Sequence, residues 1–126
     1  MASVNKVILL GALGHSPEIK ETANGVLANI SMATSRRYKD SQGQLQEETE
    51  WHRVVLFGRL AEVARDYLQK GDSAYIEGRL RTRTYEDRNG VKKHSTEILG
   101  DVLQLLPKRR DEQQQASQAP SSDDPF

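Results

Sequence analysis

Gly58-Arg59-Leu60-Ala61-Glu62-Val63-Ala64-Arg65-Asp66-Tyr67-Leu68-Gln69-Lys70-Gly71 is the one stretch of this chain with a helical period. Leu60, Val63, Ala64, Tyr67 and Leu68 fall at i, i+3, i+4, i+7 and i+8, which makes one apolar stripe on a short amphipathic helix. Gly71 stands where a C-terminal cap is expected. Everything around this stretch reads with period two, so a single helix interrupts a run of strands.

Working back from the helix, Glu50-Trp51-His52-Arg53-Val54-Val55-Leu56-Phe57-Gly58 is rich in strand formers. Trp51, Arg53, Val55 and Phe57 share one side and His52, Val54 and Leu56 the other, a strand apolar on both faces. A polar stretch from Asp40 to Glu48 reads as a loop. Before it, Asn24-Gly25 signals a turn into Val26–Ala33, where Val26, Ala28, Ile30 and Met32 share a face. Val4 to Leu10 is an apolar-rich first strand closed by Gly11, and Gly11 and Gly14 read as turn glycines rather than a phosphate cradle. Beyond the helix, Ala74 to Tyr85 returns to period two, Asn89-Gly90 marks a hairpin turn, and Val91 to Leu106 supplies the last strand or strands. Three strands, a helix and two strands form the plan of an all-β OB-fold: a five-stranded Greek-key barrel with one helix between strands 3 and 4 plugging one end.

The 126 residues suffice for one domain with a real core and are too few for two of ordinary size. Hydrophobic residues make up 36% and charged residues 29%, a lean apolar share that predicts an unfolded portion. The composition shifts at Pro107: residues 1–106 are expected to be the folded domain and 107–126, rich in Gln, Ser, Ala, Pro and Asp, a disordered acidic tail. The net charge of zero hides a segregation. Residues 1–110 hold all 18 Lys and Arg against 14 acids, a balance of +4, while residues 111–126 hold four acids and no base. A basic body with an acidic tail predicts an anionic ligand. Cysteine is absent, which excludes disulfides, Cys-ligated zinc and thiol catalysis. No run is long enough to span a membrane and the start carries no signal-peptide pattern, so a cytoplasmic protein is expected.

Chemistry concentrates in the strands. In Ala74–Tyr85 one side carries Arg79, Arg81, Arg83 and Tyr85, a stripe that suits a phosphate backbone and ends in a ring on which a base can stack. The competing reading is a solvated edge strand guarded by bases. The rings weigh against it. Four of the seven aromatics, Tyr38, Trp51, Phe57 and Tyr85, have an arginine or lysine nearby on the same face or loop: Arg36, Arg37 and Lys39 around Tyr38, Arg53 between Trp51 and Phe57, and Arg83 beside Tyr85. Rings for bases and cations for phosphates, without a base-edge code, are what single-stranded nucleic acid requires; the alternative places Trp51 and Phe57 in the barrel core. Catalysis is poorly supported. His15, His52 and His94 fit no metal-ligand spacing, there is no phosphate-loop or dinucleotide glycine motif, and no cofactor is expected. His52 reads as a packing or interface residue.

Val4–Gly11, Leu13-Gly14, Pro17-Glu18, Ala28-Asn29-Ile30, Glu50–Gly58 with Leu60-Ala61-Glu62, and Tyr75–Arg83 together closely resemble the bacterial single-stranded DNA-binding protein family (SSB family), collinearly from Ala2 to about Leu106 and again at the last four residues. The resemblance implies an OB-fold, a homotetramer, and single strands wrapped over aromatics that match Tyr38, Trp51, Phe57 and Tyr85. Tyrosine stands at the first and last of these where the enterobacterial form has tryptophan. Ala12 and Ser16 replace an asparagine and an aspartate common in the family. His52 matches a subunit-interface position.

Asp123-Asp124-Pro125-Phe126 resembles the acidic tip that recruits replication, recombination and repair proteins, although the isoleucine usual before Pro-Phe is missing. The function expected from residues and resemblance together is non-enzymatic, sequence-independent binding and protection of single-stranded DNA, in the cytoplasm on the nucleoid, with partners docked through the tip. Two other classes compete: a dimeric interaction module like the primosomal OB proteins, which lack an acidic tip, and an RNA-binding or enzyme-subunit OB domain.

Overall fold

The computed structural model describes residues 1–107. The expected tail beyond Pro107, with Asp123, Asp124, Pro125 and Phe126, lies outside the described residues. The elements run β1 (Val7–Leu13), β2 (Glu18–Thr22), β3 (Gly25–Lys39), β4 (Leu45–Phe57), α1 (Gly58–Tyr67), β5 (Ser73–Glu86) and β6 (Lys92–Leu105). The sheet order is β1-β5-β6-β4-β3-β2, and a second pairing of β1 with β3 closes five of the strands into a barrel. β4 and β6 run parallel through Val54–Ile98 and Val55–Leu99, and the other neighbours are antiparallel. The expected barrel is present, with α1 between its third and fourth strands.

Alternation fills the barrel. Ala28, Ile30 and Met32 from β3, Val54 and Leu56 from β4, Ala74 and Ile76 from β5 and Ile98 from β6 point inward and are buried, as are Leu9 and Leu13 of β1. α1 adds Ala61 and Ala64, and Leu68 follows just past the helix; Ala61 lies outside the expected stripe, while Tyr67, expected on it, is 62% exposed. Each large aliphatic side chain removed from water contributes about 1.5–3 kcal/mol, so this cluster supplies the main cohesion of the domain.

The closure is narrow: only Ala12–Ala33 and Leu13–Met32 pair across the β1–β3 seam. Gly11 sits beside it inside β1, where a Cβ would come within 2.2 Å of the Ala33 carbonyl oxygen. It is therefore a close-approach glycine within a strand, not the turn glycine expected from the sequence.

Several boundaries differ from the sequence reading. β2 is an additional strand outside the barrel, paired only with β3. It is polar except for Ile19, the one side chain it packs on the core, so no apolar alternation announces it. β1 begins at Val7, not Val4, and runs on through Gly11 to Leu13. Leu45–Glu48 of the expected loop from Asp40 to Glu48 belong to β4: β3 and β4 stay paired to Lys39–Leu45 and leave only the tight turn between them. Gly71 is not the helix cap. α1 ends at Tyr67 with Leu68 as an extended cap, and Gly71, at φ +91°, donates its N–H to the Leu13 carbonyl and ties the helix exit to the end of β1.

Candidate nucleic-acid interface

The two long hairpins, β3–β4 and β5–β6, run past the barrel as arms whose side chains are exposed on both sides. On β5 the inward residues are buried only as far as Gly78; Leu80, Thr82 and Thr84 are exposed. Both arms end in the same turn. Asp40 Oδ1 accepts the N–H groups of Gln42 and Gln44, and Asp87 Oδ1 accepts those of Asn89 and Val91. Gly43 (φ +81°) and Gly90 (φ +77°) complete the two turns and donate back to the Asp40 and Asp87 carbonyls. The connection at Asn89-Gly90 is thus an aspartate-capped loop longer than the two-residue turn its dipeptide suggests. The Gln44 N–H, with help from the Gln46 side chain and the Gln42 N–H, holds the Asp40 carboxyl below the usual aspartate range.

Trp51, Arg53 and Phe57 leave β4 on its outer side. Trp51 is 56% exposed and Phe57 48%, so neither ring is part of the core. Val55, between them in the alternation, is buried beside Leu99. Trp51 lies against Gly14, where a Cβ would come within 2.4 Å of its ring. The open space there is a groove of about 530 Å3 lined by His15, Ser16, Glu18 and Lys20, by Asn29 and Ser31 of β3, by Trp51, His52 and Arg53 of β4, and by Arg83 of β5. An exposed indole with two guanidinium groups in one half-open groove can stack a base and meet its phosphates.

The outer arms repeat a smaller version of this pairing. The Arg36 guanidinium lies 4.7 Å from the centre of the Tyr38 ring, and that of Arg83 lies 5.9 Å from the Tyr85 ring. Both pairs are i and i+2, so alternation puts cation and ring on one face. The β3–β4 register, however, sets Tyr38 and Arg36 on the side of the ribbon shared with Thr34 and His52, opposite Trp51 and Arg53. Arg36 also pairs with Glu48 at 2.8 Å, while Arg37 and Arg53 have no carboxylate partner among the described residues.

The arginine stripe of β5 is present on the outer face, but acids interleave it. Arg79 pairs with Asp101 at 3.3 Å, and Arg81 and Arg83 approach the two oxygens of Glu97 at 2.5 Å and 3.8 Å. Glu97 is 3% exposed, the one buried charged residue among those described. Sequence reasoning missed it, along with Lys20, Asn29 and Ser31. An acid set before Ile98-Leu99 in the last strand was the available signal.

His52 shares a 2.9 Å hydrogen bond with Thr34 and is half-buried on the side of β4 that continues into the core. Around the barrel from the groove, Ile8 (57%) and Leu10 (58%) of β1 and Val102 of β6 are exposed, beside Tyr75 and Glu77. The Tyr75 hydroxyl donates to Glu77, which also meets Lys6 at 3.0 Å. That hydroxyl and the Lys6 ammonium lower the Glu77 carboxyl, and the same bond raises the Tyr75 phenol. Among the described residues, no group of three or more His, Asp or Glu is placed to hold a metal ion, and no helix is long and apolar enough to cross a membrane.

The profile of the Single-strand binding protein family matches residues 4–106. Among solved structures, the chain is similar to a Plasmodium falciparum SSB in complex with ssDNA, with 34% identity over 85% of this chain and 98% of that one and a TM-score of 0.77. It is also similar to a deletion mutant of the single-stranded DNA binding protein from Thermus aquaticus, with 34% identity, 84% of this chain and a TM-score of 0.74; the match spans about half, 52%, of that longer chain.

Proposed function

The chain belongs to the single-strand binding protein family, and from that premise we propose that it binds single-stranded DNA without reading its sequence. The observation that carries the proposal is Trp51, exposed on the outer face in one groove with Arg53 and Arg83. Phe57 on the same strand face, and Tyr38 and Tyr85 on the arms with their stacked arginines, extend the set of rings. Arg37 adds positive charge, and Arg36, Arg79 and Arg81, though paired with acids, add guanidinium donors for phosphates. A bare π-face accepts any base, and a duplex keeps its bases stacked on one another, so single strands are selected over duplexes.

The protein acts by covering exposed strands in replication, recombination and repair, work that needs no catalytic group and belongs in the cytoplasm on the nucleoid. It works as a homotetramer. Ile8, Leu10 and Val102 form an apolar face on the barrel, and only Ala12 and Leu13 of β1 pair with β3, which leaves the edge from Val7 to Leu10 open to a strand of another copy. His52, toward the end of the core side of β4, contributes to an intersubunit contact. The acidic segment 107–126 recruits partner proteins through Asp123, Asp124, Pro125 and Phe126, its only large ring lodging in an apolar pocket with a basic rim.

The test is anisotropy with labelled oligonucleotides of equal length. Tight binding of oligo-dT and of a mixed single strand alike, with duplex DNA bound far more weakly, is the expected result. A preference for duplex or for structured RNA overturns the proposal.

A further inference from the structure

On the reading that the β5 stripe lies along the DNA path, we propose that Glu97 is a positioning residue and built-in competitor: it holds Arg81 and Arg83 on the outer face and sets how much of their charge a DNA phosphate can use. Glu97 stands directly opposite Arg81 in the β5–β6 register, and its two oxygens face the two guanidinium groups at 2.5 Å and 3.8 Å. At 3% exposure it cannot fall back on water, whereas the two arginines are about half exposed. The arrangement is therefore asymmetric: the acid is fixed and the bases face outward.

A buried carboxylate stripped of both partners is strongly unfavourable. Arg81 and Arg83 consequently cannot both leave it for phosphates. A guanidinium has five N–H donors, enough to keep Glu97 and meet a phosphate at once. Two arginines over one carboxylate then offer the strand a net charge of one, not two. Arg83 is also the residue that reaches the Trp51 groove and stacks on Tyr85, so holding it in place orients cation and ring together.

Glu97→Gln keeps the shape and a hydrogen-bond acceptor for Arg81 while removing the charge. Its oligo-dT affinity is expected to rise at low salt, and the plot of log K against log salt to steepen by about 0.7, the increment for one more phosphate neutralised on a single strand. If the curves meet near 1 M salt, that increment amounts to roughly an eightfold gain at 50 mM. Glu97→Met removes the charge with no polar group left to satisfy, and it must show the same steepening even if the glutamine variant folds poorly.

A role confined to stability lowers the melting temperature without steepening the slope. A variant that folds but binds no tighter than the unaltered protein, on an equal or shallower slope, overturns the proposal. Arg81→Ala combined with Arg83→Ala in the Glu97→Met background, where no buried carboxylate is left without a partner, separates the role of the stripe from that of Glu97. Loss of affinity there, with no steepening in the Glu97 variants, refutes the role of Glu97 alone. No loss there removes the stripe from the DNA path and refutes both.

Discussion

At the scale of single residues, Trp51 decides most. Its ring was legible as a base platform because the chain has one tryptophan and sets it one alternation from Arg53, yet the same letters allowed a core residue. Its exposure rules out the core reading. Trp51→Ala or Phe57→Ala is expected to weaken oligo-dT binding by about 1–3 kcal/mol for each stack lost, with little change in melting temperature since neither ring is in the core. Unaltered affinity in an isothermal titration removes that ring from the site. Gly14 was not legible in this role, because nothing local reveals that its missing Cβ makes room for an indole thirty-seven residues later. The ring that Gly14→Ala would displace is exposed and free to turn, so the fold should survive. The variant is expected to shift Trp51 emission and weaken DNA binding at nearly constant melting temperature; unchanged emission and affinity argue against the contact.

Elements were legible where alternation was strict and illegible where tertiary pairing replaced it. β3, β4 and the start of β5 carry clear inward faces, and α1 carries the only helical stripe. β2 owes its existence to its partner β3, since Ile19 is its sole core-facing apolar residue. The hairpin arms are polar on both sides, which made Leu45–Glu48 look like loop although it is paired throughout with β3. Two expectations belong here. Gly11→Ala places a Cβ against backbone that cannot swing aside, so it should strain the two-pair seam and cost roughly 1–3 kcal/mol in urea unfolding; wild-type stability shows that the seam is not tight. The Asp40 turn has a definite pH response. Its carboxyl is held below its ordinary value, so its contribution is fully present above the unfolded-state pKa and is lost only as pH falls through the lower folded value. Fast amide exchange at Gln42 and Gln44 in Asp40→Ala, but not in Asp40→Asn, is expected by NMR at neutral pH. Equal protection in the alanine variant contradicts the capping role.

On the scale of the whole molecule, a small closed barrel carries two arms, and the groove that holds Trp51 draws on β2, β3, β4, β5 and the segment after β1. Burial keeps the barrel together: Leu56→Ala, at a fully buried site between strands, is expected to cost about 2–5 kcal/mol in thermal or urea unfolding. The arms carry charge and rings that the core does not need. The sequence showed the segregation of basic body from acidic end, but not that acids within the body already meet Arg36, Arg79, Arg81 and Arg83. Pairing across strands is a property of register, and register is not written in any one segment. The central claim is that this outer face holds single-stranded DNA with a base on Trp51, and the most direct test is titration of Trp51 emission with oligo-dT, binding being followed in parallel by anisotropy. Saturable quenching that tracks the anisotropy and is reversed by high salt is the expected result. Saturating anisotropy with Trp51 emission unchanged would place the DNA elsewhere and contradict the central claim.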